Sequence, residues 1–381
     1  MILVYVQHLL GSGHLQRIRL IAEELYYQGY PVTIVSGGMP HRILDLPGID
    51  VIQLEPIRSE GIQFNRLIDA DGNEVEDALL NRRSEILNSL LGRLKPRVIV
   101  IESYPFGRRV FRTELLPWLA QIRQQKLPVK VLCSIRDVLQ LRKKKRLQES
   151  SALINQYFDH VMVHGDETFI PLDDSFECAG EIKDKLVYTG YVAPGPVPRV
   201  LDDVASGGDI LVSAGGGAAG ALIYSAALEA ARDNGLGRHW RILVGSGISE
   251  ESFQDMISRC PDYVTVERNR DDFRHLLSQC SACICQAGYN TIMDILVTGA
   301  PALVIPFEGE GETEQLMRSQ HLLGIGRVSV LREAELTASS LLSALEQQLQ
   351  QPQPNLPDVN LEGARNSADF IIEQYLSVHP S

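Results

Sequence analysis

A histidine and an arginine stand three residues apart in GSGHLQR, residues 11 to 17, shortly after the apolar run Met1 to Val6. The glycines on either side of Ser12 let the backbone turn tightly and bring its amides close to a ligand. An amphipathic run follows, and the first turn of a helix leaves amides unpaired beside about half a positive charge, so such a turn attracts an anion. His14 sits at that mouth. An imidazole, with an ordinary pKa of about 6.5, suits removal of a hydroxyl proton at neutral pH. It equally suits capping the turn or bonding a phosphate, and both roles stand open.

Two carboxylates compete for the role of base. Glu102 follows Val98 to Ile101, and Asp137 comes shortly after Val129 to Ser134. Both are thereby placed at the rim where open parallel sheets bind ligands. The alternative is ion pairing, Glu102 with Arg108 or Arg109 and Asp137 with Arg136 or Arg142.

A second glycine turn, Gly215 to Gly217, again lies between an apolar run and a helical one. Neither turn fits the dinucleotide fingerprint: Gln16 stands where its third glycine belongs, and the next strand closes on Ser36, Gly37 and Gly38 without an acidic residue. The ATPase-type loop fails as well, because Gly220 is followed by Ala221 and Leu222 instead of lysine and a hydroxyl residue. Cys280, Cys283 and Cys285 approach a metal pattern but lack a fourth ligand at suitable spacing. They read as buried thiols, and no metal or resident cofactor is expected.

The elements that must position these groups alternate. Ile18, Ile21, Ala22 and Leu25 mark one face of a helix ended by Gly29, and Pro31 to Val35 is the next strand. His160 to His164 continues the series. After Gly190 comes a segment rich in proline and glycine, and then the pattern restarts: strands at Asp209 to Ser213, Arg241 to Val244, Tyr263 to Val266, Ala282 to Cys285 and Ala302 to Ile305, with a helix over Ala218 to Arg232. Strand–helix alternation implies an α/β protein with parallel sheets covered on both faces. Two Rossmann-like domains facing across a cleft are expected: residues 1–190, a linker at 191–208, a second domain at 209–355, and a last helix within 356–381 placed to pack back on the first domain.

Length and composition agree. A chain of 381 residues favours two domains, and 44% hydrophobic residues supports a sizeable core. The net charge of −12 argues against nucleic acid as a partner. The opening run has no basic leader pattern, no apolar run reaches membrane-spanning length, and scattered cysteines fit a reducing compartment; a cytoplasmic protein is expected. The basic run Arg142 to Arg146 is either a solvated helix face or a contact for anionic headgroups at the inner membrane face, or for a phosphorylated acceptor.

The stretch CICQAGYNTIMDILVTGAPALVIPFEGEGETEQLMRSQHL, Cys283 to Leu322, joins these signals. It carries a strand into a glycine turn at Gly288, starts a helix near Asn290 with Asp294 expected in its first turn, and ends in a glutamate-rich loop. A helix end suits a diphosphate, and a carboxylate beside it suits a ribose diol. This stretch resembles the donor signature of the two-domain GT-B glycosyltransferases of family 28, the family of the lipid II-forming N-acetylglucosaminyltransferase. The segment IESYPFGRRVFRTEL, from Ile101, is similar to a group of bacterial proteins described as predicted glycosyltransferases.

The resemblance implies a GT-B fold and a UDP-sugar donor, with the following roles. Gly13, Gly215, Gly216, Gly217 and Ala218 would line the donor, with Asn269 and Arg270 beside the uracil. Gly288, Asn290 and Thr291 would face phosphate, and Asp294 would hold the ribose where the family has glutamate. Glu314 and Gln315 match a pair of glutamines that contact the donor sugar and nucleotide. Ser12, Arg17, Arg108 and Arg109 fall on the acceptor side, near His14. The implied activity is metal-independent, inverting transfer from a UDP-sugar to a hydroxyl acceptor, lipid-linked or a small metabolite. Gly11 to Arg17 also resembles a UDP-sugar hydrolase of the same fold, in which His14 would activate water. A nucleotide-sugar-binding protein without chemistry is the third reading.

Overall fold

The computed structural model describes residues 1–9, 12–60, 66–197, 208–215, 220–233, 236–351 and 359–377, with the side chain of residue 310 left aside. Contacts divide the chain into two compact units, Met1–Val192 together with Asn360–Ser381, and Ala193–Val359.

The first unit is built on β1 (Ile2–Val6), β2 (Val32–Ser36), β3 (Asp50–Gln53), a small hairpin of β4 (Arg58–Ser59) and β5 (Leu67–Ile68), then β6 (Val98–Glu102), β7 (Lys130–Arg136), β8 (His160–His164) and β9 (Leu186–Tyr188). Seven of these form one sheet in the order β3-β2-β1-β6-β7-β8-β9, every pairing parallel. Helices α1 (Gly13–Tyr27), α2 (Asp77–Leu94), α3 (Arg112–Gln124) and α4 (Lys144–Tyr157) belong to this unit.

The second unit repeats the plan. Its strands β10 (Ile210–Ser213), β11 (Trp240–Val244), β12 (Val264–Arg268), β13 (Ala282–Cys285), β14 (Ala302–Val304) and β15 (Ser329–Val330) order as β12-β11-β10-β13-β14-β15, again parallel throughout. Its helices are α5 (Ala221–Asp233), α6 (Glu250–Arg259), α7 (Phe273–Gln279), α8 (Tyr289–Thr298), α9 (Glu314–Gly324) and α10 (Ala338–Gln350). In both sheets the chain winds outward one way and then returns to the other side of its first strand. That reversal creates a switch point between β1 and β6, and another between β10 and β13.

Alternation along β1 shows why the sequence folds this way. Ile2, Val4 and Val6 join one core cluster with Leu15, Ile18 and Ile21 of α1, while Leu3 and Tyr5 join another with Trp118 of α3. Period-two side chains feed both faces, so the strand reads as one unbroken apolar run. The last helix, α11 (Gly363–Ile371), packs in the first of these clusters through Ala368 and Ile371, and Gln28, the C-cap of α1, donates to Asp369 at 2.8 Å. It extends as a π-helical turn, Ile372–Leu376, whose carbonyls accept from Arg97.

Observed boundaries differ from the sequence expectation by a few residues at most strand ends. The short edge strands β3 and β15 have no apolar run of their own: β3 is largely exposed, and β15 is half-buried. Asp294 requires a correction. Helix α8 begins at Tyr289, so Asp294 is its sixth residue and lies in the second turn, one turn further from the amino end than expected.

Candidate functional site

His14 is the second residue of α1, and Glu102 is the last residue of β6, so the switch point of the first sheet brings them together. His14 Nδ1 lies 2.7 Å from Glu102 Oε1. Arg17, one helical turn on, donates to the same oxygen, and Ser103 Oγ adds a third bond at 2.8 Å. Glu102 is bonded by Arg17, a partner the sequence does not single out, and the charge of Arg108 also acts on it, while Arg109 bonds Glu149 on α4 instead.

Glu102 is fully buried. Burial alone would raise its pKa, but His14, Arg17 and Arg108 together hold it well below the usual carboxylate range, so it is ionised. A carboxylate only accepts hydrogen bonds. The proton of His14 therefore sits on Nδ1, and Nε2 carries the lone pair. Burial lowers the His14 pKa to about 3; Glu102 opposes this, and Arg108 and Arg136 reinforce it. The imidazole is neutral at pH 7. Three of the chain's own donors crowd Oε1, whereas buried Oε2 has no hydrogen-bond partner among the described residues.

Arg108 is next to this pair. Its backbone is left-handed, at φ 57° and ψ 27°, as is that of Ser103 at φ 64°. Such values are uncommon outside glycine and mark a loop held by its surroundings. Arg108 Nε donates to the carbonyl of Gln7, just beyond β1, at 2.8 Å. Gln7 is itself fixed from below by Arg83, whose Nη2 donates to Gln7 Oε1 at 2.6 Å. Arg83 is fully buried on α2 and pairs with Glu114 at 2.8 Å, and Tyr5 donates its hydroxyl to the same carboxylate. Nothing in the sequence distinguishes Arg83 from its neighbour Arg82, which is half exposed and pairs with Glu55.

Asp137 stands directly after β7 and is fully buried. The backbone of Gly165 crosses it so closely that a Cβ there would lie 2.9 Å from the Asp137 Cβ. Ser12 is the N-cap of α1 and makes no side-chain cap bond. Gly13 opens that helix.

At the second switch point, Gly215 follows β10 with φ 75°, a value that calls for glycine, and Asn269 Nδ2 donates to its carbonyl at 3.4 Å. Gly216, Gly217 and Ala218 lie outside the described residues. Gly288 caps α8 after β13, and a Cβ built there would meet nothing within 4 Å among the described residues; Asn290 and Thr291 are the second and third residues of that helix. The first-turn amides of α8 have no carbonyl one turn back to donate to.

Asp294 carries a side chain 19% exposed, with Arg274 Nε 3.9 Å from its carboxylate. Burial pushes its pKa up to about 7, against the pull of Arg274. Arg270 is exposed and clamped by Asp272 at 2.7 Å and Glu267 at 3.3 Å, which raise its pKa. The two residues that match a glutamine pair are both engaged internally. Gln315 Oε1 accepts from the Phe307 amide at 3.1 Å, and Glu314 accepts from Arg318 at 3.0 Å.

Sequence reading missed Arg318. It is 1% exposed, donates to the Ala287 carbonyl at 3.0 Å and lies over the Tyr289 ring at 5.6 Å, so it ties α9 to the turn that starts α8. Cys283 and Cys285 lie buried on β13, and Cys280 is buried before it. Among the described residues no helix is long and apolar enough to cross a membrane.

Residues 210–373 match the glycosyltransferase family 28 C-terminal domain. The match runs from β10 through α11 and contains both turns of the second switch point. Curated relatives include the UDP-N-acetylglucosamine–N-acetylmuramyl-(pentapeptide) pyrophosphoryl-undecaprenol N-acetylglucosamine transferases of two bacteria. That of Clostridium novyi (strain NT) is 23% identical over 41% of this chain and 43% of its own. That of Thermotoga neapolitana is 26% identical over 47% of this chain and 49% of its own. The chain thus spans under half the length of these relatives. Solved structures extend the likeness to the whole chain at the level of fold. The glycotransferase of kitacinnamycin superposes with a TM-score of 0.63 at 15% identity, covering 98% of this chain and 99% of that one. The MurG protein of Acinetobacter baumannii superposes at 0.61 and 16% identity, covering 97% and 94%. The chain has the GT-B fold, and its carboxyl-terminal part, residues 210–373, is similar to the family 28 C-terminal domain.

Proposed function

Proceeding from a family 28-like chain of GT-B fold, we propose that this protein transfers a sugar, with inversion, from a UDP-sugar to a hydroxyl acceptor. The observation that carries this reading is the likeness of residues 210–373 to the family 28 C-terminal domain, with the α8 amino end at the switch point. The first-turn amides of α8 and the glycine turn after β10 would receive the diphosphate, whose charge the helix end stabilises. Asp294 would accept hydrogen bonds from the ribose diol.

His14 is the base in this reading and Glu102 its orienting partner. Nε2 takes the acceptor's proton as the hydroxyl oxygen attacks the anomeric carbon from the face opposite the leaving UDP. Glu102 then faces the imidazolium that forms, and Arg17 and Ser103 keep the carboxylate in place. Charge stabilisation comes from amides and arginines, so no metal ion is required.

The same pair would activate a water molecule, which makes hydrolysis the second reading; the Gly-x-Gly-His-x-x-Arg pattern of residues 11 to 17 favours it. Calorimetric titration with UDP in the presence of chelator tests the donor site. Saturable binding to the wild type that is lost in Asp294→Ala is expected, and absence of binding to the folded wild type would overturn the UDP assignment. UDP release from a UDP-sugar without acceptor then separates the two reactions: fast release means hydrolysis, slow release means transfer.

A further inference from the structure

The layer between the first sheet and helices α1 and α11 is apolar through Val98, Val100, Leu132 and Met162, and turns polar at the carboxyl ends of the strands. Glu102, Ser134 and His164 continue the same faces of β6, β7 and β8, each two residues on. All three are fully buried, as is Ser367 of α11, and Arg17 and Thr189 are only 2% exposed. Transfer chemistry engages Glu102 and Arg17 and leaves His164 unassigned.

Both ring nitrogens of His164 are engaged. Nε2 lies 2.8 Å from Ser134 Oγ and Nδ1 2.9 Å from Thr189 Oγ1, with Ser367 Oγ at 3.5 Å. The two ends are unequal. Thr189 Oγ1 also reaches the Val163 and Gly190 carbonyls, at 3.5 and 3.4 Å, whereas Ser134 Oγ has the imidazole alone among the described residues. Nor does the returning segment depend on His164 for its anchorage. Gln28 holds Asp369, Arg97 holds the Tyr375 and Leu376 carbonyls, and His160, at the other end of β8, bonds the Tyr375 hydroxyl.

From Ser134 a continuous path leads to His14. Ser134 stands opposite Glu102 in the parallel pairing, and its carbonyl accepts from the Ser103 amide at 2.9 Å. Ser103, whose left-handed backbone must be held by its neighbours, donates through Oγ to Glu102 Oε1, the oxygen that faces His14. Charge links the same groups. Burial and Arg17 hold the His164 pKa well below its usual value, against the pull of Glu102, so the ring is neutral. An imidazolium there would repel Arg17 and compete for Glu102. A neutral ring, donor at one nitrogen and acceptor at the other, leaves the guanidinium to the carboxylate. We propose that His164 is a positioning residue of the site: through Ser134 it keeps Glu102 and Arg17 in place against His14. This rests on the glycosyl-transfer reading in one respect, that His14 is the base.

The His14 Nδ1 proton reports on that hold directly, because it exchanges with water when the His14–Glu102 bond opens. Its exchange is followed by NMR on the full chain carrying isotope-labelled histidine, with His14→Ala to assign the signal. Two substitutions separate the ends of the imidazole. His164→Asn keeps a polar atom near the Nδ1 position, towards Thr189, and vacates the Nε2 position, towards Ser134; His164→Gln keeps the latter. His164→Asn and Ser134→Ala should each speed the exchange about tenfold, the worth of one hydrogen bond, while His164→Gln exchanges as the wild type does. UDP titrated into the same samples should bind all of them equally. Unchanged exchange in His164→Asn and Ser134→Ala overturns the proposal, and so does His164→Gln exchanging as fast as His164→Asn. Melting temperatures check folding, and Ser134→Ala, which removes a single hydroxyl, decides alone where a His164 variant does not fold. The expected exchange pattern in a wild type that binds no UDP removes the donor reading and leaves His164 in its role.

Discussion

The two switch points of this molecule are built from different materials. In the first unit, buried side chains make the site: a histidine, a carboxylate and arginines, held by one another and by a backbone carbonyl. In the second, the backbone makes it, with a glycine of positive φ, a glycine cap and the amino end of α8, and a single carboxylate set one turn in. The same sheet order supports both. Side chains suit proton transfer because their pKa values respond to neighbours. Amides suit a diphosphate because their dipoles are fixed and cannot titrate.

That contrast can be broken at its strongest point first. Glu114→Gln would leave the buried Arg83 charge without its counter-ion and should cost about 3–5 kcal/mol of stability by denaturant unfolding. A neutral cost would mean that the buried ions of the first unit are incidental. His14→Ala should lower turnover by about 10²–10⁴-fold, with UDP affinity unchanged by calorimetry. Weakened UDP binding with normal turnover would make His14 a phosphate ligand instead. Glu102→Gln should lower turnover by about 10²-fold while the protein stays folded, since the tautomer and orientation of His14 are lost.

The two units should also answer pH differently. A UDP contact through Asp294 needs the carboxylate, and its pKa of about 7 means that affinity rises with pH. Between pH 6 and pH 8 the gain should be about tenfold, and Asp294→Asn should abolish that slope. His14, at about 3 in the free protein, stays neutral across the same interval, so UDP affinity in His14→Ala should keep the slope intact. Chelation is the smallest expected effect: initial rates with and without chelator should coincide.

Much of the fold is legible in the sequence, for a physical reason. Strands buried on both faces show as apolar runs, and ligand turns show as glycines, so β1, β8 and β13 can be read directly. The family 28 signature is legible too, because Gly288, Asn290 and Asp294 are close in sequence. The members of the first site are legible, but their pairing is not. His14 and Glu102 are 88 residues apart, and only the crossing from β1 to β6 makes them neighbours. Arg83 in NRRSE looks like any arginine on a helix surface, and its burial follows from the packing of α2 against α3. The sequence puts Asp294 one turn early because glycine marks where a turn occurs more sharply than where a helix begins.

The return of the chain into its first unit has a consequence for engineering. Tyr191 donates to the Asn360 carbonyl at 2.7 Å, and Gly363 donates back to Tyr191 at 3.0 Å, so the outgoing and incoming segments lie side by side. Residues 193–359 are therefore a guest inserted at one point of a host whose two pieces are already in register. A short loop from Val192 to Asn360 would close the host with α11 still packed on α1, whereas a cut after Val192 would strip that helix away. The guest can be exchanged as a cassette between hosts of this fold, and the host can be truncated only by keeping its distant tail.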